Sequence, residues 1–428
     1  MAERIFVQMA AYRDPQLLPT LADCLASAAD PSRLRFGICW QRDETESLEP
    51  YASDPRFRII DVDYRRSRGT CWARNRIQQL YDGEEYTIQL DSHHRFAEGW
   101  DDQCISMLRE LQRGGSAKPI LTSYAPPYFP EEIPERRDRV PLYLRFLAFS
   151  LDGPVEVRPE SMDDFETLPG PVPARFFSAH FAFSLGRLCH EVPHDPKLYF
   201  FGEEPTLAVR AFTHGYDLFH PNKTLVWHHY GRDGAPKHWA DHAQWTFHDL
   251  RSLQRVRQLL RIDGTPCETD FGSFGLGTER SLRDFAVYSG FHYGLRGVSD
   301  HALRNALPPE PDVRADDPDW EKRFVREQKF RVQLLPDEIP AEPRDFDFWF
   351  VGAHSNHGVE LYRYDLQGDE LESFVRNQPH EREFSFFSPQ LIESWTVWPH
   401  SASRGWLTKI TRNVEGRSGA SAHPARSR

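Results

Sequence analysis

The chain has 428 residues and a formal net charge of -12. It is too long for one ordinary core and too acidic for the dense basic face that a nucleic acid or an anionic membrane requires. Aromatics at 13% and 33 prolines provide for an ample core and for the irregular surface loops that carry binding sites, leaving small molecules, sugars or other proteins as partners.

Cysteines 24, 39, 71, 104, 189 and 267 form no close pairs, so neither a zinc cluster nor a disulfide framework is expected. The apolar run Ile5-Phe-Val is too short for a signal peptide, and no run approaches membrane-spanning length. A cytoplasmic protein with reduced thiols is expected, with no membrane span and no nucleic acid.

In chain order, Ile5 to Met9 reads as a buried strand, Ala10 to Pro15 as a loop, and Leu17 to Ala28 as a helix with apolar spacing at Leu17, Leu18, Leu21 and Leu25. Strands are predicted at Leu34 to Trp40 and Phe57 to Val62. Gly69 then turns the chain into a helix, with Thr70 as its cap and Ile77 and Leu80 facing the core. Strands alternating with helices predict a parallel, doubly wound sheet with its loops on one rim. Arg74 lies near the start of that helix, where it could fork onto phosphate oxygens or sit on a solvated face.

The central stretch is Tyr86-Thr-Ile-Gln-Leu-Asp-Ser-His-His-Arg-Phe96, a buried strand ending abruptly in polar residues. Alternation of faces puts Asp91 and His93 together and turns Ser92 and His94 elsewhere. Two readings fit: a metal or phosphate site at the carboxyl end of a sheet, or a helix-capping Asp with two solvated histidines. Trp100 to Leu111 reads as a helix and Lys118 to Thr122 as a strand. The proline-rich, aromatic stretch from Tyr124 to Pro141 reads as a lip over a groove, with Tyr124, Tyr128 and Phe129 lining an acceptor site.

Arg175 to Ser184 reads as a strand, in which the small Ser178 and Ala179 could admit a ligand. After Gly202 a helix begins on Glu203 and Glu204, placed either for the helix dipole or to face a substrate. Thr224 to Arg232 reads as a strand ending in His228-His229, so a third metal ligand could join Asp91 and His93. One carboxylate with two imidazoles suits Mn2+ and is usable by Mg2+. A helix is predicted at Trp239 to Leu260, and the segment Glu279 to Tyr293 closes this region. Residues 307–343, dense in Pro, Asp and Glu, read as a linker. From Phe346 short alternating runs, Leu371 to Phe374 among them, predict a small antiparallel sandwich at 344–414, and 415–428 is expected to be a disordered tail.

Four motifs in this order, Gly69-Thr-Cys-Trp-Ala-Arg74, Glu84 to His93, Phe200-Phe-Gly-Glu-Glu204 and Val226-Trp-His228, resemble the GlcNAc-transferase family, retaining enzymes that move N-acetylglucosamine from UDP-GlcNAc to hydroxyproline or threonine on polypeptides. The resemblance covers about residues 4 to 290. It implies an α/β GT-A fold over residues 1–306, a UDP-sugar donor, a polypeptide or other hydroxyl-bearing acceptor, and a divalent ion on Asp91, His93 and His228. It places Ala10, Ala11, Tyr12 and Arg13 where the first strand meets the uracil. Gly69, Arg74, Ser92, Ala179 and His180 are the further donor-site candidates, and Glu203, Glu204 and Arg74 the catalytic ones. The alternatives are a catalytically silent glycan- or nucleotide-binding module and a nucleotide-sugar hydrolase.

Overall fold

The computed structural model describes residues 3–132, 135–150, 153–231, 234–340 and 345–414, so the expected tail at 415–428 lies outside the described residues. Two units are present, Met1–Arg323 and Phe324–Arg428.

The first unit opens as the strand and helix alternation predicts. Strands β1 (Ile5–Tyr12), β2 (Leu34–Arg42), β3 (Phe57–Asp63) and β4 (Tyr86–Asp91) pair in parallel, with helices α1 (Leu17–Ala26) and α2 (Thr70–Gln78) following β1 and β3. Thr70 does not cap α2: Gly69, at φ 103°, holds the cap position. Next come β5 (His94–Phe96), α3 (Trp100–Arg113), β6 (Pro119–Thr122), β7 (Val172–Pro173), β8 (Phe181–Leu185), α4 (Glu203–Thr213), β9 (Asp217–His220), β10 (Val226–His228) and α5 (Trp245–Leu260).

The main sheet has eight strands in the order β7-β9-β6-β8-β4-β1-β2-β3. It is mixed, because β8 lies antiparallel to both β4 and β6. Phe181 stands opposite Leu90, so the chain enters β8 at the rim where β4 ends. Among the described residues no helix lies between β6 and β8, and a parallel strand would have needed a crossover connection. The expected strand at 175–184 is correspondingly shorter: Arg175 and Ser178 bond to Ser289 O and Thr122 Oγ1, which holds them as a loop.

Residues 86–90 of β4 are all buried, with Tyr86, Ile88 and Leu90 in the apolar core on one face and Thr87 and Gln89 hydrogen-bonded on the other. Ile88, Leu90, Val7, Met9, Ile38 and Phe183 pack with Trp100 and Leu108 of α3 in one core. That core brings the carboxyl ends of β1 and β4 side by side, with Ala10 in register with Asp91.

The second unit has its own core. Strands β11 (Phe324–Leu334) and β14 (His380–Ser388) pair antiparallel, β12 (Phe346–His354) lies between β13 (Glu360–Leu366) and β15 (Ser394–Ser401), and β17 (Ile410–Asn413) adds to β15 beside the short β16 (Gly405–Trp406). Phe330, Val332, Trp349, Val351, Phe384, Trp395 and Val397 fill it.

Two expectations are corrected here. The stretch 371–374 is part of helix α6 (Gly368–Arg376), whose buried residues Leu371, Phe374 and Val375 follow helical spacing, so the unit is not all-β. An apolar run that short carries no period of its own. The 307–343 stretch contains the eleven-residue strand β11, in which Phe324, Gln328, Phe330, Val332 and Leu334 are buried on an alternating pattern that flanking Pro and Asp obscured.

Gly202 caps α4 at φ 90°, and a Cβ there would stand 2.6 Å from Val256 Cγ2 on α5. Gly202→Ala is therefore expected to destabilise the full chain by about 2 kcal/mol in urea unfolding. A fall of only a few tenths would show that the turn relaxes freely.

Candidate active site

Arg74, on α2, is 4% exposed and lies between two carboxylates. Its Nη1 donates to both oxygens of Glu203 at 2.8 and 2.6 Å, and its Nη2 to Asp91 Oδ1 at 2.6 Å. Three elements meet at this one cation: α2, the end of β4 and the start of α4. Burial pushes the Glu203 carboxyl up, but the Arg74 charge and His194, whose Nδ1 stands 2.8 Å away, outweigh it and bring it to about 2.

With Oδ1 of Asp91 occupied, Oδ2 faces two imidazoles, His93 Nε2 at 3.8 Å and His228 Nε2 at 3.5 Å. His93 Nδ1 sits 2.8 Å from Asp14 Oδ2. Asp14 is buried, and its carboxylate accepts a hydrogen bond from Nδ1, which turns Nε2 toward Asp91. Ser92 donates its hydroxyl to the same Asp14 oxygen.

His228 arrives from the far end of the unit by backbone pairing. It stands opposite His94 in the β5–β10 pair, donates its N–H to Pro126 O, and the next N–H, of His229, reaches His93 O at 3.1 Å. Burial holds the His228 imidazole down at about 3, against the pull of Asp91, so it is neutral. Neither of its ring nitrogens makes a well-formed hydrogen bond, a costly state for a buried polar ring.

Ligand atoms of Asp91, His93 and His228 all lie within 4.8 Å of one another. One carboxylate oxygen, an imidazole backed by a carboxylate, and a neutral imidazole whose ring nitrogens make no well-formed hydrogen bond fit a divalent ion. In Asp91 itself, burial raises the carboxyl, but the His228 contact and the Arg74 and His93 charges prevail and hold it well below the usual carboxylate range.

A cavity of about 250 Å³ opens beside this triad, lined by Ala10, Tyr12, Gln41, Gly69, Thr70, Arg74, Asp91, Ser92, His93, Tyr199, Phe200 and the segment from Pro236 to Trp239. Its outer wall is tied down by polar contacts: Tyr12 Oη and Arg13 Nη1 both donate to Asp241 Oδ2, at 2.7 and 2.9 Å, and Tyr199 Oη lies 2.7 Å from His238 Nδ1.

On the other side of His228 lies a second group. Its ring stacks on His180 at 4.5 Å between centroids and meets Tyr230 at 4.3 Å, while Tyr124 lies 5.0 Å from His180. Glu204 borders this cluster, accepting from Ala179 N at 2.8 Å and from Tyr124 Oη at 3.3 Å. Burial drives its carboxyl up to about 7, with the neighbouring Glu203 charge adding to the rise. Of two adjacent acids, one is thus held ionised at neutral pH and the other is raised to about 7.

The profile of the glycosyltransferase (GlcNAc) family matches residues 4–55 and 48–293. The chain belongs to this glycosyltransferase family. No curated protein sequence matches the chain. Among solved structures, the chain is similar to GalNAc-T7 crystallised with UDP, GalNAc and Mn2+, at 13% identity and TM-score 0.44 over 60% of this chain and 48% of that one. It is also similar to S. aureus TarS 1-349 with UDP-GlcNAc, at 12% identity and TM-score 0.37 over 60% and 66% of the two chains. The chain thus spans about half of the first relative and just under two thirds of the second. Similarity at this level carries no inference about chemistry.

The structure brings together Asp91, His93 and His228, with Arg74 attached through Asp91. Ala10, Tyr12, Gly69, Arg74 and Ser92 line the cavity. Ala11 is buried in the core, and Arg13 is engaged by Asp43 and Asp241 over the Tyr64 ring. Ala179 and His180 lie on the Glu204 side, where His180 Nε2 accepts from Ala125 N. Tyr124 is there too, whereas buried Tyr128 turns its hydroxyl to Arg95 and Gln16, and Phe129 pairs with Arg136 through the backbone.

Asp14, Tyr199, Tyr230 and His238 were not anticipated from sequence. For Asp14 the one available signal was its place in the Ala10 to Pro15 loop, on the rim with the other strand ends.

Because His93 depends on Asp14 for its orientation, Asp14→Asn is expected to weaken Mn2+ binding about 10- to 100-fold by calorimetry, and His228→Ala more so. Unchanged affinity in both variants would place the ion elsewhere.

Proposed function

We propose that this glycosyltransferase moves GlcNAc or a closely related sugar from a UDP-sugar to a hydroxyl acceptor, such as one on a polypeptide, with retention of anomeric configuration. The observation that carries this reading is the convergence of Asp91, His93 and His228 beside a cavity of about 250 Å³ that Asp91 and His93 help to line. A divalent ion held by these three, Mn2+ by preference and Mg2+ as the alternative, would supply Lewis-acid neutralisation of the leaving diphosphate.

The chain's own residues have separable tasks. Arg74 holds Asp91 Oδ1 so that Oδ2 keeps its aim, a positioning role, because both of its terminal nitrogens are already committed to carboxylates. Ala10, Tyr12 and Gln41 form the part of the cavity suited to a base, and Lys237 adds a cation to its wall. Tyr199, Phe200 and Trp239 supply apolar surface that excludes water from the reacting end.

Glu204, and not Glu203, is assigned to the acceptor. Glu203 is buried and saturated by Arg74 and His194, whereas Glu204 is half-buried next to Tyr124 and Tyr230. As a carboxylate it would accept the hydrogen bond of the incoming hydroxyl. Transfer on the same face needs no enzyme nucleophile, so this orienting role suffices.

Purified protein with Mn2+ and a panel of UDP-sugars is expected to release UDP fastest from UDP-GlcNAc, and faster still with a hydroxyl-bearing peptide. Asp91→Asn should abolish that release with the fold intact by circular dichroism, and full activity in this variant would sink the metal assignment. Acceptor-independent release would indicate a hydrolase, and no release with any donor a binding protein.

Since Glu204 works deprotonated, kcat/KM for the acceptor should rise with pH through about 7. Glu204→Gln should remove that limb and lower kcat/KM about 100-fold. A limb that survives the substitution belongs to another group.

A further inference from the structure

A larger cavity lies behind the donor cavity, with Tyr199 as a wall common to both. Its volume is about 540 Å³, and Arg68, Lys197, His248, Arg251 and Arg255 line it together with Gln254, Gln258 and Thr269. No carboxylate is among its lining residues, in a chain whose acidic residues outnumber lysine and arginine 64 to 52. Such a local excess of cations in an acidic protein is a focused positive field and calls for an anion.

The cations are carried on preformed walls. His248, Arg251, Arg255 and Gln258 recur at helical spacing along α5, so they share one face. Opposite them, the Pro196 to Tyr199 segment is pinned to that helix, since Tyr199 N donates to Ser252 Oγ at 3.1 Å. Arg255 is anchored by Asp195 through its Nε and lies over the Phe271 ring at 4.2 Å, which fixes its place in the lining. Gln258 Oε1 accepts from Glu268 N and Thr269 N, so its amide NH2 remains as a donor. Arg68, Lys197 and Arg251 are exposed.

We propose that this cavity binds a second ligand, a compact molecule bearing two or more phosphate groups, at a site separate from the donor. Planar guanidinium forks from Arg68, Arg251 and Arg255 match phosphate oxygens two at a time. The volume is that of a small-molecule pocket and not of an extended acidic-peptide face. Tyr199 joins the two cavities, and its hydroxyl contacts His238 in the donor wall, so occupancy of one can be felt at the other.

The test uses the full chain, metal-free, with inorganic tripolyphosphate as the probe, followed by calorimetry with and without saturating UDP. Binding of one equivalent is expected in both cases, weakening about tenfold or more in Arg251→Glu and in Lys197→Glu while UDP affinity stays within about twofold. Both residues are exposed, and unchanged urea midpoints would establish that the variants fold. Tripolyphosphate that is displaced by UDP, that binds equally to both charge-reversed variants, or that does not bind at all overturns the proposal. So does binding of a glutamate decapeptide in place of tripolyphosphate, which would make the cavity a docking point for an acidic protein.

Discussion

The buried ion triplet of Glu203, Arg74 and Asp91 is the contact on which the site rests. Arg74 is out of water, and a buried guanidinium is tolerable only because two carboxylates meet it with hydrogen bonds of 2.6 to 2.8 Å. Removing Arg74 would leave two neighbouring carboxylates without their counter-charge, at a cost on the order of 3–5 kcal/mol. The triplet ties the end of the central strand to the starts of two helices. It also decides a rotamer: with one Asp91 oxygen held, the other points at His93 and His228.

The same triplet separates two neighbouring glutamates that look alike in sequence. Glu203 is drawn into the ion network and held ionised. Glu204, one residue on, is rotated about a third of a helical turn away and meets only a backbone N–H and a tyrosine hydroxyl. Burial then governs its proton. One acid becomes structural and the other titratable, through environment alone.

The proposed metal site and nucleotide cavity are built by the same topology. Parallel pairing of β1 with β4 sets Ala10 beside Asp91, and the antiparallel β5–β10 pair sets His228 opposite His94. The first brings the donor cavity to the acid, and the second brings the last imidazole. Asp91 and His228 end strands, Arg74 and Glu203 sit on helices, and His93 and Asp14 follow strand ends directly, so the site is preorganised before any ligand arrives.

Much of this was legible in the sequence where the signal is local. The strand and helix alternation of the first 113 residues, the strand ending on Asp91 and His93, and the glycine turn before Glu203 follow from periodicity and turn chemistry, which act over a few residues. The family likewise shows in four short motifs in order. Where neighbouring residues carry no period, the reading failed: Leu371 to Phe374 is helical, and β11 was hidden among prolines and acids. Tertiary structure alone decided the direction of β8, the partners of Arg74, the backing of His93 by Asp14, and which glutamate titrates. Arg74 and Glu203 are 129 positions apart. No local pattern encodes such a contact, because it exists only once sheet and helices have closed one core and excluded the water that would otherwise have solvated both charges.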